Sequence, residues 1–500
     1  MDKWSSDFTA LLYAMLFSMR NLGILILTVL AVSCSSATSY NDQILPAYEA
    51  YREGNTALAA DISSEIYKDF NESNSKVVFA LENGTMLRDA GRYRQAFDVL
   101  EQAEATLKIG YDQRSSLSAA AMTESVASVL VNQKSLAYIG SIADRVLLNT
   151  YKALAALEMG ELEYALIEAR RIDQAQQQAE ELFRAEYEAM KAEATDRGYE
   201  LDLDGLYSQE DFVEQNLELF QDSGVADFAN PFATFVIGML RRIAPNNGED
   251  PTYDFNWLNQ RLPNNIYVQQ ELEAIKNNES VDGTVFVIFE NGRGPSLVEN
   301  LIEIPTGIFR IYAGEDFRGT WYERDYLSLP QFVPGKRAAN ALRIDAGLAN
   351  SHTTDIIADM NSIAHYEFKA RYPGVLTREV ISAAIKGVGF GIVKAVGDNM
   401  MKSDDSKNVL AGALLSIGSI LAKKELAQAD DRAWKSIACN YQIARFKRGE
   451  QETLQLSLVG GNAQTSVKIP AAAAVVVIVR SVNSSHIKAR AYGFGNTTIN

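Results

Sequence analysis

The first half of the chain is built on one repeated pattern, which is clearest in Ala80-Leu81-Glu82-Asn83-Gly84-Thr85-Met86-Leu87-Arg88-Asp89-Ala90-Gly91-Arg92-Tyr93-Arg94-Gln95-Ala96. Its apolar residues recur at spacings of three and four, which predicts a helix on each side of a turn. We expect Gly84 where the two helices touch and Gly91 in the turn, because glycine permits close approach and a left-handed backbone. Tyr93 and Ala96 would begin the second helix.

The same pattern occurs at two further places. Gly160 follows Gly91 by close to two repeat lengths of about 34 residues, and Ala165 follows Gly160 as Ala96 follows Gly91. Gly54 precedes Gly91 by about one repeat length. A fourth, degenerate copy without the glycine turn is predicted over residues 230–265.

These copies resemble the tetratricopeptide repeat. A helix pair of this kind cannot bury its apolar face alone, so neighbouring pairs stack into a solenoid. The resemblance implies a tetratricopeptide-like helical repeat domain over residues 34–275. The alternative is a plain helical domain with coincidental glycine turns. Between Ile172 and Asp222 the chain is rich in Gln, Glu and Ala, which predicts one long, acidic, solvent-facing helix within this domain.

The pattern changes to a period of two after residue 283, which is typical of strands. We predict a C-terminal α/β domain over residues 280–500, with strands over 284–345, helices over 355–428 and strands over 434–493. The fold class is therefore α+β: an N-terminal α-helical solenoid followed by a mixed α/β domain with a mainly antiparallel sheet.

Residues 376–427 form two apolar segments rich in small residues, which predict a helical hairpin. Close helix packing explains the small residues. The longest uncharged stretch, Asn408 to Ala422, is shorter than the roughly 20 residues that a membrane span needs. Contact of this hairpin with a bilayer stays open as the alternative.

The N-terminus carries a targeting signal. An apolar run from Leu22 to Val32 is too short for a span and ends in Leu30-Ala31-Val32-Ser33-Cys34, followed by serines. This arrangement resembles a bacterial lipobox, so residues 1–33 would be a signal peptide and Cys34 the site of lipid attachment. The basic start that such a signal needs begins at Met19, so Met19 rather than Met1 is the expected first residue.

Two alternatives to the lipobox remain. One is a secretory signal or anchor helix that happens to contain a cysteine. The other is a transmembrane helix from Phe8 to Val32, which Arg20 in its middle disfavours. Ser35 after the cysteine favours the outer membrane, with the protein facing the periplasm, although the choice between inner and outer membrane depends on the host.

The charge of the chain restricts its partners. With 47 Lys and Arg against 64 Asp and Glu, the net charge is −17. Such a chain is a poor binder of nucleic acid or anionic lipid, which require basic patches. We expect membrane attachment through the N-terminal lipid alone.

Candidate catalytic and metal-binding patterns all favour a structural interpretation. His352, His365 and His486 lack the spacing of metal ligands, and we find no nucleophile elbow or assignable carboxylate pair. The glycine-rich stretch Gly387-Val388-Gly389-Phe390-Gly391 lies in a helical pattern rather than between a strand and a helix. Cys439 is expected to be a small buried hydrophobe. We therefore predict a protein that is not an enzyme, with no cofactor and no metal.

Residues scattered over most of the chain resemble a family of uncharacterised bacterial lipoproteins with N-terminal tetratricopeptide-like repeats. The sequence departs from that family at Ile437-Ala438-Cys439, where a Leu-Pro pair is expected. The resemblance implies a lipoprotein without an assigned activity, and the neighbourhood of related genes indicates envelope or peptidoglycan maintenance. The residues that carry it are Leu148 to Leu157, Ala169-Arg170-Arg171, Asn230-Pro231-Phe232-Ala233, Asp359 to Ala364, Pro373, Arg378, Asp431 to Ser436, Ile443-Ala444-Arg445 and Gly449.

The leading functional hypothesis is a lipid-anchored scaffold of the cell envelope. Its helical repeats would present a concave surface to a protein or peptide partner. The alternative is a periplasm-facing ligand-binding protein or enzyme with a site between the repeat domain and the β region. Arg310, Tyr322, Arg324 and Asp325 are the expected lining of such a site.

Overall fold

A computed structural model of the chain describes residues 39–115, 137–196, 199–201, 207–208, 210–225, 227–244, 249–304, 309–311, 325–347, 351–376, 379 and 429–495. Residues 44–500 form one compact unit and residues 1–43 another. Several predictions fall outside the described residues: the signal peptide, Met19, Cys34, the stretch 387–391 and nearly all of the small-residue segment 376–427.

The described helices are concentrated in the first half of the chain. They are α1 (Tyr40–Arg52), α2 (Thr56–Asp69), α3 (Lys76–Asp89), α4 (Tyr93–Ser115), α5 (Ile142–Glu158), α6 (Leu162–Asp196), α7 (Glu210–Gln215), α8 (Leu217–Phe220), α9 (Pro231–Ile243), α10 (Thr252–Arg261), α11 (Ile266–Lys276) and, in the second half, α12 over 360–376.

Three successive helical hairpins, α1–α2, α3–α4 and α5–α6, are closed by the same turn. Gly54, Gly91 and Gly160 each have a positive φ, of 89°, 84° and 79°. In every turn the residue after the glycine donates its N–H to a carbonyl five residues earlier, as Arg92 does to Leu87 at 2.9 Å. This is the Schellman ending of a helix, which satisfies the last carbonyls of the first helix of each pair.

Apart from β1 (Tyr199–Leu201), which lies between α6 and α7, the described strands follow the helices of the first half. The others are β2 (Thr284–Asn291), β3 (Ser296–Ile304), β4 (Phe309–Ile311), β5 (Asp325–Val333), β6 (Ala341–Asp345), β7 (Ser351–Thr353), β8 (Asp355–Asp359), β9 (Asn440–Lys447), β10 (Thr453–Val459), β11 (Gln464–Lys468), β12 (Ala474–Asn483) and β13 (His486–Phe494).

Antiparallel pairing dominates the sheets of the described residues. A five-stranded sheet has the order β13-β12-β2-β9-β8, in which β12 and β2 are parallel and the other pairs antiparallel. A four-stranded sheet has the order β11-β10-β6-β7, and β3 pairs with β5 and β1 with β4 as two-stranded ribbons. The predicted α+β class, with N-terminal helices and antiparallel sheets, is therefore confirmed.

One hydrophobic core joins the helices to both larger sheets. It contains Leu81 and Leu154 from the helices, Val287 and Val477 from the five-stranded sheet and Leu456 from the four-stranded sheet. Every residue of β2 is buried, as expected for a strand covered on both faces. The core thus runs across the domain boundary that was predicted at residues 275–280.

Three local predictions differ from the structure. Residues 355–359 form strand β8 rather than a helix, because they pair with the edge of β9 and tertiary pairing outweighs local pattern. The sequence Tyr372-Pro373-Gly374 is typical of a helix end, but α12 continues through it to residue 376. Tyr372 lies in a small second core with Phe212 and Leu376. The long helix α6 ends at Asp196, well before Asp222.

Strand β3 lies inside the predicted strand region 284–345, although its sequence does not alternate clearly between apolar and polar residues. The start of one strand differs from the prediction. Strand β9 begins at Asn440, and residues 434–439, where the strand was predicted to start, form irregular chain with bends. Among the described residues, no helix is long and apolar enough to cross a membrane.

The Gly54 turn should tolerate a side chain less well than the Gly160 turn. A Cβ at Gly54 would overlap the His486 ring, whereas nothing lies within 4 Å of a Cβ at Gly160. We expect Gly160→Ala to lower the free energy of unfolding by about 1 kcal/mol, the cost of a left-handed alanine. Gly54→Ala should cost about 2–4 kcal/mol, because overpacking adds to that strain.

Denaturant unfolding measures both costs. In a His486→Ala background the cost of Gly54→Ala should fall to that of Gly160→Ala. An undiminished cost in that background would show that His486 does not restrict the turn.

Candidate functional site: the inner face of the helical array

The inner face of the helical array is the side of α1, α3 and α5 that faces strands β2 and β12 and residues 432–441. Nearly all side chains of α3 and α5 are buried, including Glu82, Arg88 and Lys152. A helix that is buried on all sides belongs to the interior of a protein. The first helices of the second and third hairpins therefore lie between their partner helices and the sheet.

The chain's own residues 432–441 cover this face. The indole Nε1 of Trp434 donates to Thr85 Oγ1 at 2.9 Å. The backbone N–H groups of Lys435 and Ser436 donate to the Glu82 carboxylate at 2.9 and 3.2 Å, and the Tyr51 hydroxyl donates to the Ser436 carbonyl at 2.9 Å. These bonds satisfy polar groups of residues 434–436, which precede strand β9 and belong to no strand.

Aromatic rings extend the contact beyond this segment. The Tyr441 ring stacks on Phe232 with 3.8 Å between the centroids, and its hydroxyl bonds the Tyr151 hydroxyl at 3.0 Å. The Tyr151 ring in turn lies edge-on to Trp434, 5.2 Å away. Burial raises the pKa of both tyrosines well above the ordinary value, so both hydroxyls stay protonated.

Arg88 is the central charge of the inner face. Its Nε donates to Glu158 at 2.6 Å, and its Nη1 contacts both carboxylate oxygens of Glu290 at 2.8 and 3.0 Å. The three side chains are at most 6% exposed. Because Arg88 and Glu158 lie on helices and Glu290 on β2, this triad bonds the array to the sheet.

A second ion pair lies beside the triad. Arg480 of β12 donates through Nε to Asp89 at 2.9 Å and through Nη2 to the Tyr51 hydroxyl at 2.7 Å. Its Nη1 donates to the Glu290 and Gly292 carbonyls. Every guanidinium nitrogen of Arg480 thus has an acceptor, which is what a buried charge requires.

The buried charges balance when one carboxylate holds a proton. Arg88 and Arg480 face Asp89, Glu158 and Glu290, which would leave one negative charge in excess. Burial, with Glu290 adding to it, raises the pKa of Glu158 to about 8, although Arg88 opposes the shift. Glu158 is therefore mostly protonated at pH 7, and the five groups are together neutral.

Lys152 forms ion pairs that link the second helical hairpin to the third. Its ammonium is fully buried on α5 and pairs with Glu101 and Glu104 of α4 and, at 3.0 Å, with Glu168 of α6. Burial alone would lower the pKa of Lys152, but the carboxylates outweigh burial and raise it. The lysine thus remains charged and links the second hairpin to the third.

The predicted repeat positions lie around this face rather than forming a reactive site. Ala96 and Ala165 are fully buried in the helices that follow the Gly91 and Gly160 turns. The Tyr93 hydroxyl bonds Tyr492 of β13 at 2.8 Å. Gly84 lies against Leu100 of the neighbouring helix.

The lining predicted for the alternative site is only partly described. Arg310 and Asp325 belong to strands β4 and β5, where the description is limited to backbone, and Tyr322 and Arg324 fall outside the described residues. The predicted grouping of these four side chains therefore lies outside what the structure describes.

Cysteine and histidine occupy structural positions. Cys439 is buried and accepts a hydrogen bond from Asn361, and burial raises the pKa of its thiol to about 11. His352 stacks on Phe446, His365 bonds the Glu218 carbonyl, and His486 lies over Gly54. Within the described ranges no group of His, Cys, Asp and Glu is arranged to hold a metal ion.

Two open grooves border the array. One, of about 270 Å³, lies over α2, α3 and α4 and includes Tyr67, Lys68 and Gln102. The other, of about 400 Å³, lies between the α1–α2 turn and the β10–β11 and β12–β13 hairpins. Its lining consists of Gly54, Thr56, Asn462, Ala463, Gln464, Arg480, Val482, Ser485, His486, Ile487 and Lys488.

No family model matches this chain, and no curated protein or solved structure matches it either. The inner face must therefore be interpreted from its own geometry.

The sequence did not identify the charges of the inner face as a site. Arg88, Glu158 and Glu290 were not singled out, although Lys152 and Trp434 lie in stretches that carry the family resemblance. A usable signal was present, because Lys152 stands directly before the apolar run Ala153–Leu157 of helix α5. A charged residue in such a position is rarely buried without a partner.

Stability should depend on pH through Glu158. Between about pH 4.5 and pH 8 the folded chain holds a proton on Glu158 that the unfolded chain has lost. The free energy of unfolding should therefore fall as pH rises through this window, by about 1 kcal/mol per pH unit from this group.

Glu158→Gln should remove that contribution. Denaturant unfolding at pH 5, 6, 7 and 8 should show the variant gaining stability relative to wild type as pH rises. The exposed Glu163→Gln in the same hairpin serves as the control. If the curves of wild type and Glu158→Gln run parallel, Glu158 does not hold the proton.

Proposed function

We propose that the protein is a lipid-anchored bacterial cell-envelope protein that acts as a protein–protein interaction scaffold through tetratricopeptide-like helical repeats. In this proposal Cys34 carries the lipid, and the body faces the periplasm from the outer membrane. Its role is in envelope or peptidoglycan maintenance, without catalysis and without a cofactor.

The observation that carries the scaffold proposal is the regular construction of the array. Three helical hairpins end their first helices with the same hydrogen-bonded glycine turn. Lys152 then joins the second hairpin to the third through buried ion pairs. Stacked, similar hairpins are the construction that repeat proteins use for extended binding surfaces.

The inner face is not available to a partner, because residues 432–441 and the sheet cover it. The partner surface in our proposal is therefore the outer side of the array. On α6 the Tyr164 and Ile167 side chains are 52% and 40% exposed, and on α2 Leu58 is 46% exposed. Large apolar side chains at the surface are the usual anchors of protein interfaces.

The groove of about 400 Å³ favours the alternative of a ligand-binding protein. It lies between the helical array and the β hairpins, which is the region that the alternative requires. Its size is within the range of small-molecule sites. Its lining differs from the one predicted from the sequence, because Thr56, Gln464 and Lys488 supply the polar groups.

One experiment in cells tests both parts of the scaffold proposal. Tagged wild-type, Cys34→Ala and Tyr164→Ser/Ile167→Ser chains are expressed with a labelled fatty acid and a membrane-permeant cross-linker. Wild type should carry the label, sediment with membranes and cross-link to a defined envelope protein. Cys34→Ala should lose the label and the sedimentation, and the double variant should lose only the cross-linked partner.

The two parts can fail separately. Label on the Cys34→Ala chain would contradict the lipid anchor. An unchanged cross-linked partner in the Tyr164→Ser/Ile167→Ser chain would contradict the partner surface on α6.

A further inference from the structure

Cationic side chains surround one tyrosine at the end of α1. We name this group the Tyr48 cluster; it comprises Tyr48 and Arg52 of α1, Arg293 of the β2–β3 turn, and Lys435 and Ser436. The Arg293 guanidinium lies 5.7 Å from the centre of the Tyr48 ring, and the Lys435 ammonium lies 4.6 Å from it. An aromatic face attracts such cations and holds them close together.

Arg293 is partly exposed, but two of its three guanidinium nitrogens are buried without an acceptor in the described part of the chain. Its Nε and Nη1 atoms are buried and have no hydrogen-bond partner among the described residues, and the same holds for the hydroxyl of Ser436. The neighbouring Arg480 differs, because each of its nitrogens has an acceptor. Buried donors without partners are rare, and a bound water or ion is one way in which they are completed.

The charged side chains that act on Arg293 are other cations, Arg52 and Arg480. Burial lowers the pKa of Arg293, and Arg52 and Arg480 lower it further, while only the tyrosines Tyr48 and Tyr51 oppose this. Arg480 is neutralised by Asp89. The Glu82 carboxylate accepts the backbone N–H groups of Lys435 and Ser436. The three cations Arg52, Arg293 and Lys435 together with the one carboxylate of Glu82 leave two positive charges in surplus, in a chain whose net charge is −17.

We infer that the Tyr48 cluster binds a phosphate group, either as free phosphate or as part of a phosphate ester. Arg293, Arg52 and the Ser436 hydroxyl would supply the donors, from three separate segments of the chain. Arginine is the preferred partner of phosphate, which accepts hydrogen bonds from several directions.

A carboxylate ligand fits the cluster less well. It brings one negative charge, whereas two positive charges are in surplus. It is also planar, so it suits a single guanidinium better than donors from three segments. A phosphate dianion balances both charges. This site does not depend on the lipid anchor or on the partner surface of α6.

Isothermal titration calorimetry of the full chain tests the inference. The titrants are inorganic phosphate, dimethyl phosphate and acetate, at one ionic strength maintained with chloride, since salt screens such contacts. Wild type should bind inorganic phosphate, and Arg52→Gln and Arg293→Gln should each bind it about tenfold more weakly, the loss of one charge-assisted contact. Arg343→Gln, an exposed arginine of β6, should bind as wild type does.

Two separate arginine variants are used so that the result does not depend on the folding of one of them. Arg52 is exposed, so its replacement leaves the packing intact even if Arg293→Gln fails to fold. Dimethyl phosphate is a monoanion and should bind more weakly than inorganic phosphate, which would identify a free or terminal phosphate dianion as the ligand. Dimethyl phosphate binding as tightly as inorganic phosphate would contradict the charge balance on which the inference rests. Undiminished phosphate binding in Arg52→Gln, no phosphate binding in wild type, or acetate binding equally tightly would overturn the inference.

Discussion

The structure depends on the bonds that Arg88 makes to Glu158 and Glu290. A guanidinium and two carboxylates are expensive to remove from water, and they are tolerated in an interior only when each charge is matched and hydrogen-bonded. Glu290 belongs to the central strand of the five-stranded sheet, whereas Arg88 and Glu158 end the first helices of two neighbouring hairpins. The array can therefore bury these residues only when it is seated on the sheet, and the two parts share one core.

This constraint explains why the three helical hairpins do not present an open groove. In an isolated stack of hairpins the first helices would line a solvent-exposed surface. Here the corresponding surface bonds Trp434 and the backbone of residues 435–436. Strand β13 continues the contact at the hairpin turns, with His486 over Gly54 and Arg490 over Gly91. Glycine is required at both turns for its backbone conformation and for the side chain that lies against it.

The sequence predicted those features that depend on residues close together in the chain. The glycine turns were visible because a Schellman ending needs a left-handed residue, and strands such as β2 and β12 were visible as β-branched runs. The inner-face charges were not predictable. Arg88 lies 70 residues from Glu158 and 202 residues from Glu290 in the sequence. No periodicity connects residues so far apart, and the same limit concealed the pairing of β8 with β9.

The buried triad couples the array to the sheet, and a double-mutant cycle of Arg88→Met and Glu290→Leu measures that coupling. Denaturant unfolding at pH 7, where Glu158 is mostly protonated, gives the free energy of each chain. Arg88→Met alone should cost about 3–5 kcal/mol, because Glu290 loses the cation that faces it. Adding Glu290→Leu should recover part of that loss. If the two losses simply add, the pair does not couple the array to the sheet.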